Sequence, residues 1–276
     1  MSLPICPDCG SDDINLVEVL PDSRRHLTCA ECARDWLRGD AVAALVTTAD
    51  ISVAHRRFPD PSQVTAARRE HVEQLKKTFL ERQPQVDPRV TPYWTRYQQV
   101  FSPAGLLTAH PQDFKDFANS NIGANPGNMS VFNTAWNNLD EAEAAERVRE
   151  VIGYLLYGPE TIPVEDRLTH LIRGDRDMGM TGFRESLLTR VLCVMHPDRF
   201  LTILKYTGMA GKREIAQSVY GLRLPAPDAT SATPGRLAFW SNDLLHDLIG
   251  DGFDTVQHGA AFLWWAKDQT SSQPAT

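Results

Sequence analysis

The sequence predicts a mainly α-helical protein with a small β module at its N-terminus, joined by a helical linker to an α-helical domain. Three observations predict it. Two Cys-x-x-Cys pairs bracket a short run of β-branched residues before residue 45. Beyond residue 60, apolar side chains recur at the spacing of one helix face. Strand signals after residue 45 are few.

The N-terminal module, residues 1–45, is built on Cys6-Pro-Asp-Cys9-Gly10 and Cys29-Ala-Glu-Cys32, with nineteen residues between Cys9 and Cys29. Four soft thiolates in two tight knuckles suit a tetrahedral ion, and this spacing reads as a zinc ribbon. Gly10 permits a positive φ, so that backbone N–H groups can turn toward sulfur. Between the knuckles, Ile14 to Leu20 reads as a strand, Pro21 to Arg24 as a turn and Arg25 to Thr28 as the returning strand. Trp36 and Leu37 would cover one face. With so little core, bound metal would supply most of the module's folding free energy. All four positions are cysteine, which leaves no open coordination site and makes the expected Zn²⁺ structural. Iron is the alternative ion, because the first knuckle resembles that of rubredoxins. His26 reads as a surface residue of the hairpin.

Residues 46–90 read as a connector, to about residue 60, followed by an amphipathic helix. Ser62 is a candidate cap. Val64, Ala67, His71, Leu75 and Phe79 form the apolar stripe, and Arg68, Arg69, Lys76, Lys77 and Arg82 lie opposite. From Ser52 to Arg82 there are seven Lys/Arg and four Asp/Glu, 7 − 4 = +3; a solvated helix face explains this better than a binding surface does. Pro84, Pro88 and Pro92 then break the chain.

Residues 91–268 read as a helical domain. Glu141 to Tyr157 is a helix stopped by Gly158-Pro159, and Arg184 to Met195 is one ended by His196-Pro197. Ser241 to Asp243 resembles a cap before Leu244, Leu245 and Leu248, and Phe262 to Trp265 should close the core. The polar tail, residues 269–276, is expected to be disordered.

Composition limits the function classes. The formal net charge of −7 argues against a protein that coats nucleic acid non-specifically, although it allows a local basic face. The longest apolar run, near Val191 to Met195, is too short for a bilayer span, so no membrane partner is expected. The N-terminus lacks the basic start and apolar core of a signal peptide, which points to the cytoplasm. Cys193, the fifth cysteine, lies in that apolar run and reads as a core thiol.

The search for catalytic chemistry yields little. Gly208 to Arg213 suggests a phosphate loop, but Tyr206 stands where the first glycine belongs and Arg213 where Mg²⁺ needs Ser or Thr. A glycine turn leading into a helix with two cations remains, and such an N-terminus can hold a phosphate. Asp113 and Lys115 could form half of a metal-dependent nuclease motif, without a positioned upstream acid. Glu165, Asp166 and His170 read as a charged helix face. No catalytic residue is assigned.

The stretch Gly179-Met-Thr-Gly182-Phe-Arg-Glu-Ser186 has part of the pattern of a helix–hairpin–helix. In that motif, turn N–H groups bind a DNA phosphate and a small residue four positions after the glycine packs on the first helix. Gly179 is one residue too far from Gly182, and a plain inter-helix loop fits equally. From Arg184 to Arg213, six Lys/Arg stand against two acids, 6 − 2 = +4.

Leu187-Leu-Thr-Arg-Val-Leu-Cys-Val-Met-His-Pro-Asp-Arg-Phe-Leu201, followed by Gly211-Lys-Arg213, resembles a segment upstream of the motor in AAA proteins of the modified-cytosine restriction type. Asn128 to Phe132, Leu155 to Gly158, Gly235 to Leu237 and Trp240 to Leu245 are similar too, so the resemblance spans about residues 93–267. It rests on packing and turn residues. The motor itself has no counterpart here, and a separate AAA motor or nuclease subunit would be the partner. The resemblance implies recognition of DNA or of partner proteins, in restriction or phage defence.

Together these readings lead to a zinc-binding, non-catalytic, DNA-interacting protein. Arg24 and Arg25 on the ribbon, and Gly182, Arg184, Lys205, Gly211, Lys212 and Arg213 in the helical domain, are the candidate phosphate contacts. A protein-interaction adaptor is the alternative, and a nuclease at Asp113 and Lys115 is the third reading.

Overall fold

The computed structural model describes residues 9, 11, 13–19, 25–38, 48–82, 87–174, 179–209 and 211–271. Cys6, Gly10 and Arg24, with the turn expected at 21–24, lie outside the described residues. By its internal contacts the chain divides into one unit of Met1–Ala54 with Ala229–Ser231, and a second of His55–Asp228 with Ala232–Thr276.

The first unit holds a three-stranded antiparallel sheet, β1 (Ile14–Val19), β2 (Arg25–Cys29) and β3 (Asp35–Arg38), in the order β1-β2-β3. The two strands read from the sequence are present. The third was not expected, because Asp-Trp-Leu-Arg is short and carries little β-propensity of its own. It forms by pairing with the free edge of β2, which places Trp36 opposite Leu27, itself opposite Leu16. Leu27 and Cys29 are the buried residues of β2. Their separation of two puts them on one face of the sheet.

The mainly helical character is observed, with twelve α-helices among the described residues. The expected connector is itself partly helical: α1 spans Thr48–Arg57. A single 3-10 turn, Pro61–Gln63, precedes α2 (Ala66–Glu81), and the cap of α2 is Thr65, whose hydroxyl accepts from the Arg68 N–H; Ser62 lies within the turn. On α2 the buried residues are Val72 and Phe79, whereas Ala67 is exposed. Lys76, placed on the polar face by its spacing, donates to the carbonyls of Ile249 and Asp251.

Then follow α3 (Val90–Val100), α4 (Pro103–Thr108), α5 (Pro111–Asn119), α6 (Ser130–Asn137) and α7 (Glu141–Tyr157). After them come α8 (Val164–Arg173), α9 (Glu185–Met195), α10 (Lys212–Tyr220), α11 (Pro234–Ile249) and α12 (Val256–Ser271). Two apolar clusters fill this unit. One gathers Trp94, Tyr97, Phe114, Phe117, Phe132 and much of α7 and α9. The other gathers Phe79, Tyr206, Ile215, Leu245 and Phe262. Every residue of α9 from Ser186 to Val194 is buried, as expected of a helix enclosed on all sides.

Two expected boundaries are corrected. Ser241 to Asp243 do not cap a helix, because α11 starts seven residues earlier at Pro234, where the ring's fixed φ suits a first turn. Ser241 instead donates to the carbonyl of Leu237. Asn242 accepts from the Leu201 N–H and donates to the Arg199 carbonyl, holding a distant loop. Residues 269–271 of the expected tail are helical, since α12 runs to Ser271, and the rest of it lies outside the described residues.

Helices α8 and α11 cross closely at Gly235. A methyl group there would lie 1.9 Å from the Glu165 carbonyl oxygen. Thr169 fills the space, its hydroxyl accepting from the Gly235 N–H and meeting the Thr233 hydroxyl at 2.9 Å.

Candidate functional site

In the ribbon, Cys29 ends β2 and is buried, whereas Cys9 and Cys32 are exposed. The knuckle after Cys29 is tied back on itself: the Ala33 N–H donates to the Cys29 carbonyl, and the Cys29 N–H donates to the Arg34 carbonyl. Ala33 follows Cys32 as Gly10 follows Cys9, and it takes a left-handed φ of 56°. The knuckle thus makes the turn that glycine normally makes, at an alanine, which costs roughly 1–2 kcal/mol.

The three sulfurs lie within 4.8 Å of one another. Those of Cys9 and Cys29 are 3.6 Å apart. A disulfide requires about 2.05 Å. A tetrahedral centre with metal–sulfur bonds of about 2.3 Å separates its sulfurs by roughly 3.8 Å. The spacing fits thiolates that share a metal ion, so this cluster could hold one. His26 is not part of it; its ring lies 3.6 Å from the Glu18 carboxylate and 4.0 Å from that of Asp35. Arg25 is exposed on β2.

In the helical unit the predicted cations separate. Lys212 is corrected: it is 1% exposed, and its ammonium donates to the Ala238 carbonyl. Burial lowers its pKa to about 8, against the opposing pull of Cys193, Glu185 and Asp243. Gly211 is buried as well. The start of α10 is not an anion site, because the N–H groups of Lys212 and Arg213 donate to the carbonyls of Lys205 and Tyr206. Arg213 is exposed, and its Nε donates to the Leu224 carbonyl.

Gly182, Arg184 and Lys205 do come together, lining one cavity beside the start of α9. Gly182 has φ +83°, and a Cβ there would strike the Phe132 backbone, so the glycine is needed where α6 packs. Arg184 is exposed and donates to the Leu171 carbonyl. Lys205 is exposed; its side chain forms no hydrogen bond or ion pair among the described residues, and its charge acts on the Glu185 carboxylate. At the start of α9, the N–H groups of Glu185, Ser186 and Leu187 have no hydrogen-bond partner among the described residues. They carry the positive end of the helix dipole. The Glu185 carboxylate is engaged by the Tyr206 N–H at 2.6 Å, and burial raises its pKa.

The second cavity was not legible in the sequence. It has about 600 Å³ and shares Pro126, Ser186, Lys205 and Met209 with the first. Its walls come from the 121–127 loop, the 202–209 segment and the face of α12 bearing Gln257, Ala261 and Trp264. No local pattern joins segments so far apart in the chain.

The other expected groups serve packing. Asp113 caps α5 and pairs with Arg96 at 2.6 Å, and Lys115 donates to Asn137. Asp166 pairs with Arg236 at 2.8 Å, and the Tyr154 hydroxyl lies 2.8 Å from His170 Nδ1. Cys193 is buried and donates to the Leu201 carbonyl, and burial pushes its thiol up to about 12.

Fold and site together define a mainly helical protein with a small cysteine-clustered sheet at its N-terminal end. No helix among the described residues is long and apolar enough to cross a membrane. No family model, curated protein or solved structure matches the chain.

Proposed function

We propose that this chain is a cytoplasmic, zinc-binding, non-catalytic protein that engages the phosphate backbone of DNA. The observation that carries the DNA reading is the start of α9: the N–H groups of Glu185 and Ser186, without a partner among the described residues, in residues that line one cavity with the exposed cations Arg184 and Lys205. Backbone N–H groups and cations at a helix start favour a phosphate without reading sequence. Zinc is the ion that best fits clustered thiolates with Cys6 as the fourth, and the reducing cytosol keeps those thiols available. The resemblance over residues 93–267 supports a role in restriction or phage defence, with a motor or nuclease supplied by a separate subunit.

The test is duplex binding across a salt series. Arg184→Ala and Lys205→Ala should each weaken binding uniformly across sequences and lower the salt slope by about one. Absence of salt-sensitive binding near physiological ionic strength refutes the DNA reading. For the metal, elemental analysis should find one zinc per chain, lost in Cys29→Ser.

A second reading, a protein-interaction adaptor, is favoured by a specific observation. Leu16 and Val17 on edge strand β1 are 56% and 52% exposed, and an open edge with apolar side chains invites a partner strand. Capture of one partner that needs Leu16 and Val17 but no DNA would favour it.

A further inference from the structure

The two cavities share Lys205 and Met209, and their lining has a cationic and an apolar pole. One pole is cationic: Lys205 and Arg184, beside Glu185 and Ser186 at the start of α9. The other is apolar and aromatic. Trp264 is 38% exposed and Met209 is 95% exposed, and both line the cavity walled by α12. Leu107, Val131 and Tyr157 are exposed in this unit too, but none of them lines either cavity, whereas Trp264 and Met209 do. A ring has somewhere to stack, on Trp264, and methionine is the side chain best able to adapt to its other face.

Between the poles the walls offer hydrogen bonds. Asn121, Ser186 and Thr202 line the walls there. Gly127 has φ +88°, and a Cβ there would meet nothing within 4 Å, so the loop leaves open space. The acids on the walls are already engaged: Asp87 by a bidentate bond from Arg89, and Glu185 by the Tyr206 N–H. Lys205 acts on Glu185 at a distance but forms no ion pair among the described residues, so its ammonium can still meet an incoming anion. The volume, about 600 Å³, suits a ligand of nucleotide size.

We infer that this groove binds a nucleoside phosphate, with the ring against Trp264 and Met209 and the phosphate at Lys205 and the start of α9. The same chemistry is offered by a free nucleotide and by a nucleotide unit of a single strand. The inference goes beyond the duplex reading, because it requires the ring pole and not a duplex backbone.

The test is calorimetric titration of the full chain with adenosine monophosphate, adenosine, inorganic phosphate and a short single-stranded oligonucleotide. Adenosine monophosphate should bind saturably, and adenosine and phosphate each at least about tenfold more weakly. Trp264→Ala should weaken binding roughly tenfold or more through lost stacking. Lys205→Ala should weaken it by about tenfold. Met209→Ala, at a position almost wholly in water, provides a third variant whose fold is safe. Binding of the oligonucleotide alone, with the same dependence on Trp264 and Lys205, assigns the groove to a nucleotide unit within a strand. Failure of both ligands to bind, or binding indifferent to Trp264→Ala and Met209→Ala, overturns the inference. Duplex binding without nucleotide binding refutes this inference alone, and nucleotide binding without duplex binding refutes only the DNA reading.

Discussion

Replacing Lys212 by methionine should flatten a component of the protein's stability that rises with pH. The folded state places this ammonium in the core, where it loses its proton near pH 8, whereas the unfolded chain holds it to about 10.5. Below pH 8 both states are charged, and the fold carries the full cost of burying the charge. As pH rises through 8 the fold sheds its proton first, so stability climbs until the unfolded chain titrates as well. Each tenfold change in proton activity is about 1.4 kcal/mol, and between about pH 7 and about pH 9.5 the gain integrates to about 2 kcal/mol. Cys193 works against this. Its thiol is pushed up to about 12 from an ordinary 9.0, so the unfolded chain ionises first and stability falls. Both chains carry Cys193, so the difference curve largely removes it. Urea unfolding of wild type and Lys212→Met at the two ends of that window measures the quantity directly. Wild type should gain about 2 kcal/mol relative to the variant. A flat difference would mean that Lys212 is solvated, that the 205–213 turn opens in solution, and that this lysine is again available to a phosphate.

Three further substitutions test the packing. Gly235→Ala places a methyl group against the Glu165 carbonyl and should cost about 1–3 kcal/mol in urea unfolding, with the Thr169 bond lost. Asn242→Ala removes both bonds that hold the 199–201 loop and should destabilise by about 2 kcal/mol, with faster amide exchange at Leu201. Ala33→Gly should be neutral or stabilising for the ribbon, measured as resistance of bound metal to chelator, because glycine accepts a left-handed φ without strain; an increased loss of metal would contradict the observed turn.

Much of the helical architecture was legible because its signals are local. Glu141 to Tyr157 and the helix ending at Met195 carry their own periodicity and stop residues, and α7 and α9 fall there. The two cysteine pairs likewise announced a clustered site by spacing alone, although Cys6 lies outside the described residues. Misreadings arose where one residue type serves two purposes. Ser241 and Asn242 look like caps, yet their polar groups serve a helix carbonyl and a loop more than forty residues away. Lys212 looks like a phosphate ligand because lysine is ordinarily solvated, and only the Ala238 carbonyl and the surrounding core reveal otherwise. The cavity walled by α12 had no signature at all, since its walls meet only after folding.

Arg190 ties that cavity to the interior. From the buried middle of α9 its guanidinium donates to the carbonyls of Phe117 and Ile122 and to the Tyr93 hydroxyl, joining segments 68 to 97 residues away. Ile122 sits just inside the loop that forms the cavity's far side. The position of that rim is therefore dictated by a keystone in the core. Occupation of the groove would be felt as slower hydrogen exchange along α9, and loosening of the core would be felt as a wider mouth.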